Sequence, residues 1–152
     1  MKQIRIKVNK IIERFLVLIL VGMVLNVIWQ VFTRFFTSSP SAFTNELARY
    51  LMIWLGVLGA AYISGKQEHV AIDFFVKKLN NSLRRFIDRF VLLSTLSFAF
   101  FVMIIGGINL VYITLKLEQY SPSLQIPLAL VYSIIPISGL LIIFYKVTQE
   151  KS

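Results

Sequence analysis

The sequence predicts an all-α integral membrane protein, built as one bundle of four transmembrane helices with a short amphipathic interfacial helix between the second and third. Both termini are predicted to be cytoplasmic. The chain has 152 residues, of which 57% are hydrophobic, and its mean hydropathy is +0.77. Four apolar stretches are each long enough to cross a bilayer, which takes about 20 residues. Basic residues are concentrated in alternate connections, which indicates how the helices are oriented.

The composition excludes several classes of function. A soluble domain this short would expose much of its apolar surface, and residues 1–152 leave room for a single membrane domain but not for a large catalytic one. The chain has no Cys, which excludes disulfides, thiolate metal sites and a cysteine nucleophile. Its single histidine, His69, excludes a bis-histidine haem within one subunit. Phosphate-binding and hydrolase motifs are also missing, so we expect neither an enzyme nor a cofactor or metal site.

The first apolar stretch covers about residues 15–36. A basic start followed by an apolar run is typical of a signal peptide, but this run is too long and Ser39-Pro40-Ser41 is a poor cleavage site. We therefore predict a retained helix. Asn26 and Gln30 share one face of it at a spacing of four residues, and polar side chains in this pattern join helices more often than they line a pore.

The second stretch covers about residues 43–64 and carries Glu46 and Arg49 in its first two turns. A charged side chain at the centre of a membrane helix costs about 2.5–3.5 kcal/mol, so charges near the bilayer need partners or a task. Glu46 and Arg49 are three residues apart and are predicted to pair near the outer interface, where Arg34 could join them. An ion-pair cluster that joins the first two helices is favoured over a substrate or ion site.

Small residues further along the second stretch predict a close-packing helix face. Gly56, Ala60 and Ser64 recur every four residues, beside Gly59. Small side chains at this spacing let two membrane helices approach closely.

Residues 70–79 follow amphipathic helical spacing and predict a helix lying on the inner leaflet, with a loop plus a helix overhang as the alternative. His69 and Asp73 are four residues apart, which favours a turn-fixing hydrogen bond because two ligands do not make a metal site. The third and fourth helices are predicted at about residues 86–115 and 124–145. Pro136 should kink the fourth helix.

The basic residues decide the orientation. Thirteen of the 16 Lys and Arg residues lie at the N-terminus, in the second connection and its flanks, or at the C-terminus, which places these segments in the cytoplasm. The net charge of +9 is therefore a topology signal and an attraction to anionic lipid, and we expect no nucleic-acid partner. The basic residues expected to face lipid headgroups are Lys77, Lys78, Arg84 and Arg85.

The second-helix region resembles a known family. It contains Glu46-x-x-Arg49-Tyr50-Leu51-x-x-Trp54, then Gly59-Ala60-Ala61, then His69-x-x-x-Asp73. This pattern, with Arg34, the four spans and the length, is similar to the small membrane subunit of tripartite ATP-independent periplasmic (TRAP) transporters, the Q-type permease component.

The resemblance implies a secondary transporter of a bacterial inner membrane. In such systems a soluble periplasmic binding protein captures an organic acid, such as a C4-dicarboxylate or a sialic acid, and delivers it to a two-part membrane complex. The large multispanning subunit carries the substrate and sodium sites, and the small subunit is similar to a scaffold. The expected partners of this chain are then the large subunit, the binding protein and anionic phospholipids.

The residues themselves favour the same role. Four helices with few buried ionisable groups make a better packing partner than a pump, and the chain is too short for two inverted repeats. The open alternatives are a small homo-oligomeric channel or exporter lined by Asn26 and Gln30, and a membrane anchor or assembly subunit of another complex. The candidate structural and interface residues are Arg34, Glu46, Arg49, Tyr50, Trp54, Gly56, Gly59, Ala60, His69 and Asp73.

Overall fold

The computed structural model describes residues 2–37, 41–66 and 81–149. Their helices are α1 (Lys2–Thr37), α2 (Ala42–Lys66), α3 (Asn81–Ser97), a π-helical segment (Phe98–Gly106), α4 (Gly107–Lys116), α5 (Leu128–Tyr132) and α6 (Ile134–Gln149). Four stretches are long and apolar enough to cross a membrane, and we call them the first to fourth spans: Gln3–Phe36, Ala42–Lys66, Arg85–Lys116 and Leu128–Thr148. The predicted all-α fold with four spans is confirmed. The interfacial helix predicted at 70–79 lies outside the described residues.

Two helix boundaries differ from the apolar pattern. Helix α1 begins at Lys2, well before the apolar run starts at Phe15, so its basic first turns are also helical. The fourth span begins at Leu128, because Pro127 adopts an extended backbone at φ −62° and ψ 126°. Proline disfavours helical geometry in the residue before it, so the apolar residues that precede Pro127 belong to a loop.

The fourth span is interrupted where the sequence predicts a kink. Helix α5 ends at Tyr132 and α6 begins at Ile134, with Ser133 between them. Pro136 lies three residues after this break, and its ring and missing N–H disrupt the preceding turn of a helix. The remaining bond across the break is long, with the Ile137 nitrogen 3.4 Å from the Ser133 carbonyl oxygen.

The spans pack in the order first, second, fourth, third: α2 contacts both α1 and α6, and α6 contacts the π-helical segment. In the most apolar part of each span, 39% of the fourth is buried inside the chain, against 11% of each of the other three. The fourth span is therefore the centre of the fold. Most of the remaining apolar surface is left for lipid or for partner proteins.

The third and fourth spans approach most closely at two glycines. A Cβ on Gly107 would stand 2.9 Å from Cδ of Pro136, and a Cβ on Gly139 would stand 2.9 Å from Cβ of Met103. Neither position has room for a side chain. The π-helical segment that carries Met103 was not predicted, because its apolar sequence fits an ordinary helix equally well.

Candidate functional site

The N-terminal end of α2 is fixed in place by a local cap. Ser41 precedes the helix, and its hydroxyl accepts a hydrogen bond from the backbone nitrogen of Thr44 at 3.4 Å. The Thr44 hydroxyl donates back to the Ser41 carbonyl at 2.9 Å. Such a cap satisfies backbone groups that the first turn of a helix leaves free. Glu46 follows directly, one turn into the helix and half-buried.

The Glu46 carboxylate joins α2 to the loop between the third and fourth spans. Its Oε1 accepts a hydrogen bond from the Tyr50 hydroxyl at 2.8 Å. Its Oε2 accepts the backbone N–H groups of Ser123 at 2.8 Å and of Leu124 at 3.2 Å, 77 and 78 residues further along the chain. Hydrogen bonds to an ionised carboxylate are roughly twice as strong as neutral ones. We call this arrangement, Glu46 with Tyr50 and the two loop nitrogens, the Glu46 clasp.

The loop held by the clasp, residues 117–127, is strongly constrained. The Ser121 nitrogen donates to the Ile126 carbonyl at 2.9 Å, and the Leu128 nitrogen donates to the Gln119 carbonyl at 2.9 Å. Two residues in the loop, Glu118 and Gln125, have positive φ angles of 46° and 57°. Non-glycine residues in this region cost about 1–3 kcal/mol each and persist only when their surroundings hold them. The loop is therefore a stiff element, and Glu46 is one of the groups that hold it.

The ion pair predicted between Glu46 and Arg49 is wrong. The carboxylate is engaged by Tyr50 and the loop, and the side chains of both Arg49 and Arg34 are exposed. The physical reason is that the Tyr50 hydroxyl and the two loop N–H groups offer the carboxylate three donors in fixed positions, and hydrogen bonds to a carboxylate are strong. A guanidinium on a long stem can reach water or lipid headgroups instead.

Trp54 ties the same face of α2 to the fourth span. Its indole N–H donates to the backbone carbonyl of Val131 at 3.0 Å, just before the break at Ser133. A broken helix leaves carbonyls that a neighbouring helix can satisfy. Glu46, Tyr50 and Trp54 are spaced by four residues, so these three members of the motif form one face of α2 directed at the fourth span and its loop.

Asn26 joins α1 to α2. It is buried, with 8% of its surface exposed, and its side-chain nitrogen donates to the Thr44 carbonyl at 2.7 Å. Its interpretation as a residue that joins helices is confirmed. The hydrogen bond reaches the capped turn of α2, so it supports the helix end that carries Glu46.

Three residues of the small-residue face predicted on α2, Gly56, Gly59 and Ala60, are left open by the described part of the chain, while the hydroxyl oxygen of Ser64 is buried. A Cβ added at Gly56 or at Gly59 would meet nothing within 4 Å, and Ala60 is exposed. Close packing occurs instead at Ala61, which is fully buried, and at Gly65. Within the chain it is this other side of α2 that meets the neighbouring spans, and spacing alone does not say which side they cover. Gly56, Gly59 and Ala60 form what we call the open α2 face.

Most of the candidate residues in the connection between the second and third spans are not described by the structure. His69, Asp73, Lys77 and Lys78 lie outside the described residues. Arg84 lies in α3 with its side chain outside the described part, and Arg85 is exposed near the start of that helix.

A second polar cluster, where the N-terminal end of α1 meets the C-terminal ends of α2 and α6, was missed by the sequence analysis. Tyr145 is fully buried, and its hydroxyl donates to the Asn9 side-chain oxygen at 2.7 Å, 136 residues away. The ring lies against Gly65, whose carbonyl accepts a hydrogen bond from the Arg5 guanidinium. A hydropathy profile shows Asn9 and Arg5 only as part of a basic N-terminal segment. Their role in joining α1 to α2 and α6 is visible only from hydrogen bonds between residues far apart in the chain.

The site has the character of a structural joint. Its carboxylate oxygens accept donors from α2 and from the loop, and within residues 2–37, 41–66 and 81–149 no group of three or more acidic or histidine side chains could hold a metal ion. What the arrangement can do is hold the loop at residues 117–127 rigidly against α2.

Comparison with known proteins agrees with the sequence pattern. Residues 23–149 match the family model described as the DctQ component of tripartite ATP-independent periplasmic transporters. The chain is 29% identical over 93% of its length to a protein assigned as a TRAP transporter small permease of Haemophilus influenzae, covering 86% of that protein. It is 36% identical over 66% of its length to the C4-dicarboxylate TRAP transporter small permease protein DctQ of Rhodobacter capsulatus, covering 44% of it. It is also 37% identical over 41% of its length to the sialic acid TRAP transporter permease protein SiaT of Haemophilus influenzae, covering 10% of it.

Proposed function

Because the chain belongs to the family of DctQ components of tripartite ATP-independent periplasmic transporters, we propose that it is the scaffold subunit that supports a larger transport subunit during organic-acid uptake. It is a multi-pass protein of a bacterial inner membrane, in keeping with its four spans and its family. The cargo class is suggested by relatives named for a C4-dicarboxylate and for sialic acid.

The proposed partner is a large multispanning membrane subunit. One relative, SiaT, is a permease in which the stretch similar to this chain forms only a tenth of the protein. In SiaT, a stretch similar to this chain and a much larger part belong to one polypeptide. This supports the proposal that the present chain associates with a separate large subunit. Sodium coupling, with its ion sites in the large subunit, and delivery of substrate by a periplasmic binding protein belong to the same proposal. Sodium-dependent uptake that requires an added binding protein is the expected result in proteoliposomes.

The Glu46 clasp is the observation that carries the scaffold role. It holds a stiff loop at one end of the second and fourth spans, and a stiff loop offers a partner the same surface throughout a transport cycle. Asn26 brings α1 into this assembly, while burial of the Asn26 side chain against Thr44 argues against the alternative of a pore lined by that residue.

The clasp is tested by Glu46→Ala, which leaves the loop N–H groups of Ser123 and Leu124 without their acceptor. A carboxylate is a stronger acceptor for these N–H groups than the water that would replace it, so we expect lower complex yield or an uptake rate reduced about tenfold. Glu118→Gln is the matched control, because Glu118 is an exposed carboxylate in the same loop. Equal uptake and yield in Glu46→Ala and wild type would refute a role for the clasp.

The open α2 face is proposed to contact the large subunit. Glycine in a helix exposed only to lipid costs helix stability of about 1 kcal/mol relative to alanine without any packing in return. A partner helix lying against Gly56, Gly59 and Ala60 would supply that packing. Gly59→Leu should therefore reduce co-purification of the large subunit severalfold while leaving the isolated chain folded.

Gly22→Leu on α1 is the control for the open α2 face. A Cβ at Gly22 also meets nothing within 4 Å, so the substitution adds the same bulk at another position with open space beside it. If Gly22→Leu and Gly59→Leu reduce co-purification equally, the open α2 face has no special role.

A further inference from the structure

The basic end of α1 borders an open cavity of about 610 Å³. Its described lining is Lys10, Glu13, Arg14, Val17 and Leu18, all exposed. The volume lies within the range of cavities that hold small ligands, about 300–1,000 Å³. Neither the Glu46 clasp nor the open α2 face includes any of these residues.

The lining changes character along the helix. Lys10, Glu13 and Arg14 supply charged groups at one end, and Val17 and Leu18 supply an apolar wall one turn further into the span. From Lys10 to Leu18 the helix rises about 12 Å. This is the order of groups in a phospholipid, whose phosphate lies at the interface and whose acyl chains begin a few ångströms deeper. A small polar solute would gain no binding energy from contact with the apolar wall.

The charges favour a phosphodiester. Lys10 and Arg14 are four residues apart on one helix face, so both can reach a single anion, and a guanidinium binds phosphate oxygens in pairs. The Glu13 carboxylate lies 3.5 Å from the Tyr62 hydroxyl on α2, which directs it towards the neighbouring helix. Among the described lining residues, two cations and one carboxylate sum to a single positive charge, which one anionic lipid would neutralise.

We propose that this cavity is a binding site for one anionic phospholipid. Its phosphodiester contacts Lys10 and Arg14, and the part of its acyl chains next to the glycerol lies over Val17 and Leu18. Because Glu13 contacts Tyr62, the lipid lies beside the junction of α1 and α2 and stabilises it. The site differs from general attraction of basic loops to a charged membrane, since it holds one lipid in a defined position. It does not depend on the proposed transport function.

The test is native mass spectrometry of the full-length chain, titrated with phosphatidylglycerol, with phosphatidylethanolamine and with inorganic phosphate. We expect one phosphatidylglycerol to bind more tightly than the other two. Each basic residue near an anionic surface contributes roughly a fivefold effect, so Lys10→Gln with Arg14→Gln should weaken phosphatidylglycerol about 25-fold. Lys116→Gln, which removes an exposed cation at the end of α4, should leave binding unchanged.

The swap Lys10→Arg with Arg14→Lys keeps both charges and guards against a folding artefact. It should retain binding to within about fivefold, because the charge near the surface is conserved. The proposal is overturned if the double glutamine variant binds phosphatidylglycerol as well as wild type does. It is also overturned if inorganic phosphate displaces the lipid at equal concentration, or if Lys116→Gln weakens binding as much as the double variant.

Discussion

Gly139 lies where α6 meets the π-helical segment most closely, and its replacement by alanine gives the sharpest stability prediction. The new Cβ would stand 2.9 Å from Cβ of Met103, 3.0 Å from Cγ1 of Ile104 and 3.1 Å from the backbone oxygen of Ala99. A Cβ and a carbonyl oxygen move only with their backbone, and Ala99 is fully buried. Gly139→Ala must therefore push the third and fourth spans apart.

The magnitude follows from comparison with an open glycine. Replacing a helical glycine by alanine stabilises a helix by about 1 kcal/mol, whereas overpacking a tight contact costs about 1–3 kcal/mol. Gly56→Ala gains only the first effect, because nothing lies within 4 Å of its added Cβ. The helix-propensity contribution is common to both variants and cancels in their difference. We expect Gly139→Ala to be less stable than Gly56→Ala by about 1–3 kcal/mol.

The assay is reversible unfolding of the full-length chain in mixed micelles with increasing SDS, followed by circular dichroism. Both variants are measured beside wild type, and the free energies of unfolding are compared at the same detergent composition. If Gly139→Ala is as stable as Gly56→Ala, the close approach of the two spans at Gly139 does not exist in the folded protein.

Two further predictions concern the hydrogen bond from Trp54 to Val131 and the side of the membrane on which the termini lie. Trp54→Phe keeps an aromatic ring but removes the N–H donor to the Val131 carbonyl, which should lower the free energy of unfolding by about 0.5–1.5 kcal/mol. The control Trp29→Phe, at a side chain that is 58% exposed, should lower it little. Equal losses in the two variants would contradict the role of the hydrogen bond. The native chain has no cysteine, so single cysteines report topology cleanly: a membrane-impermeant reagent added from the periplasm should label Lys116→Cys and spare Lys7→Cys, and the reverse pattern would exclude cytoplasmic termini.

The face of α2 that carries Glu46 shows how much the sequence predicts. The spacing of Glu46, Tyr50 and Trp54 places them on one helix face. The cost of charge at membrane depth singles out Glu46, and the family resemblance singles out Tyr50 and Trp54. Their partners could not be predicted. Glu46 binds loop nitrogens 77 and 78 residues away, and Trp54 binds a carbonyl exposed by a break in another span.

The glycines show the same limit. The spacing predicts close helix contacts at Gly56 and Gly59, but within the chain these remain open, and close contacts occur at Gly65, Gly107 and Gly139. All five have the same local chemistry. Only the positions of the neighbouring spans decide which of them are covered.

By itself, the sequence determined the number of spans, their approximate limits and the family. Insertion into a bilayer depends on the transfer free energy of each segment, which is a sum over neighbouring residues and can be read in order along the chain. The tertiary structure decided the order of the spans, the Glu46 clasp, the burial of Tyr145 and its bond to Asn9. These depend on which helices become neighbours, and that is set by packing between segments far apart in the chain, where van der Waals contact and hydrogen bonds replace hydropathy as the deciding energies.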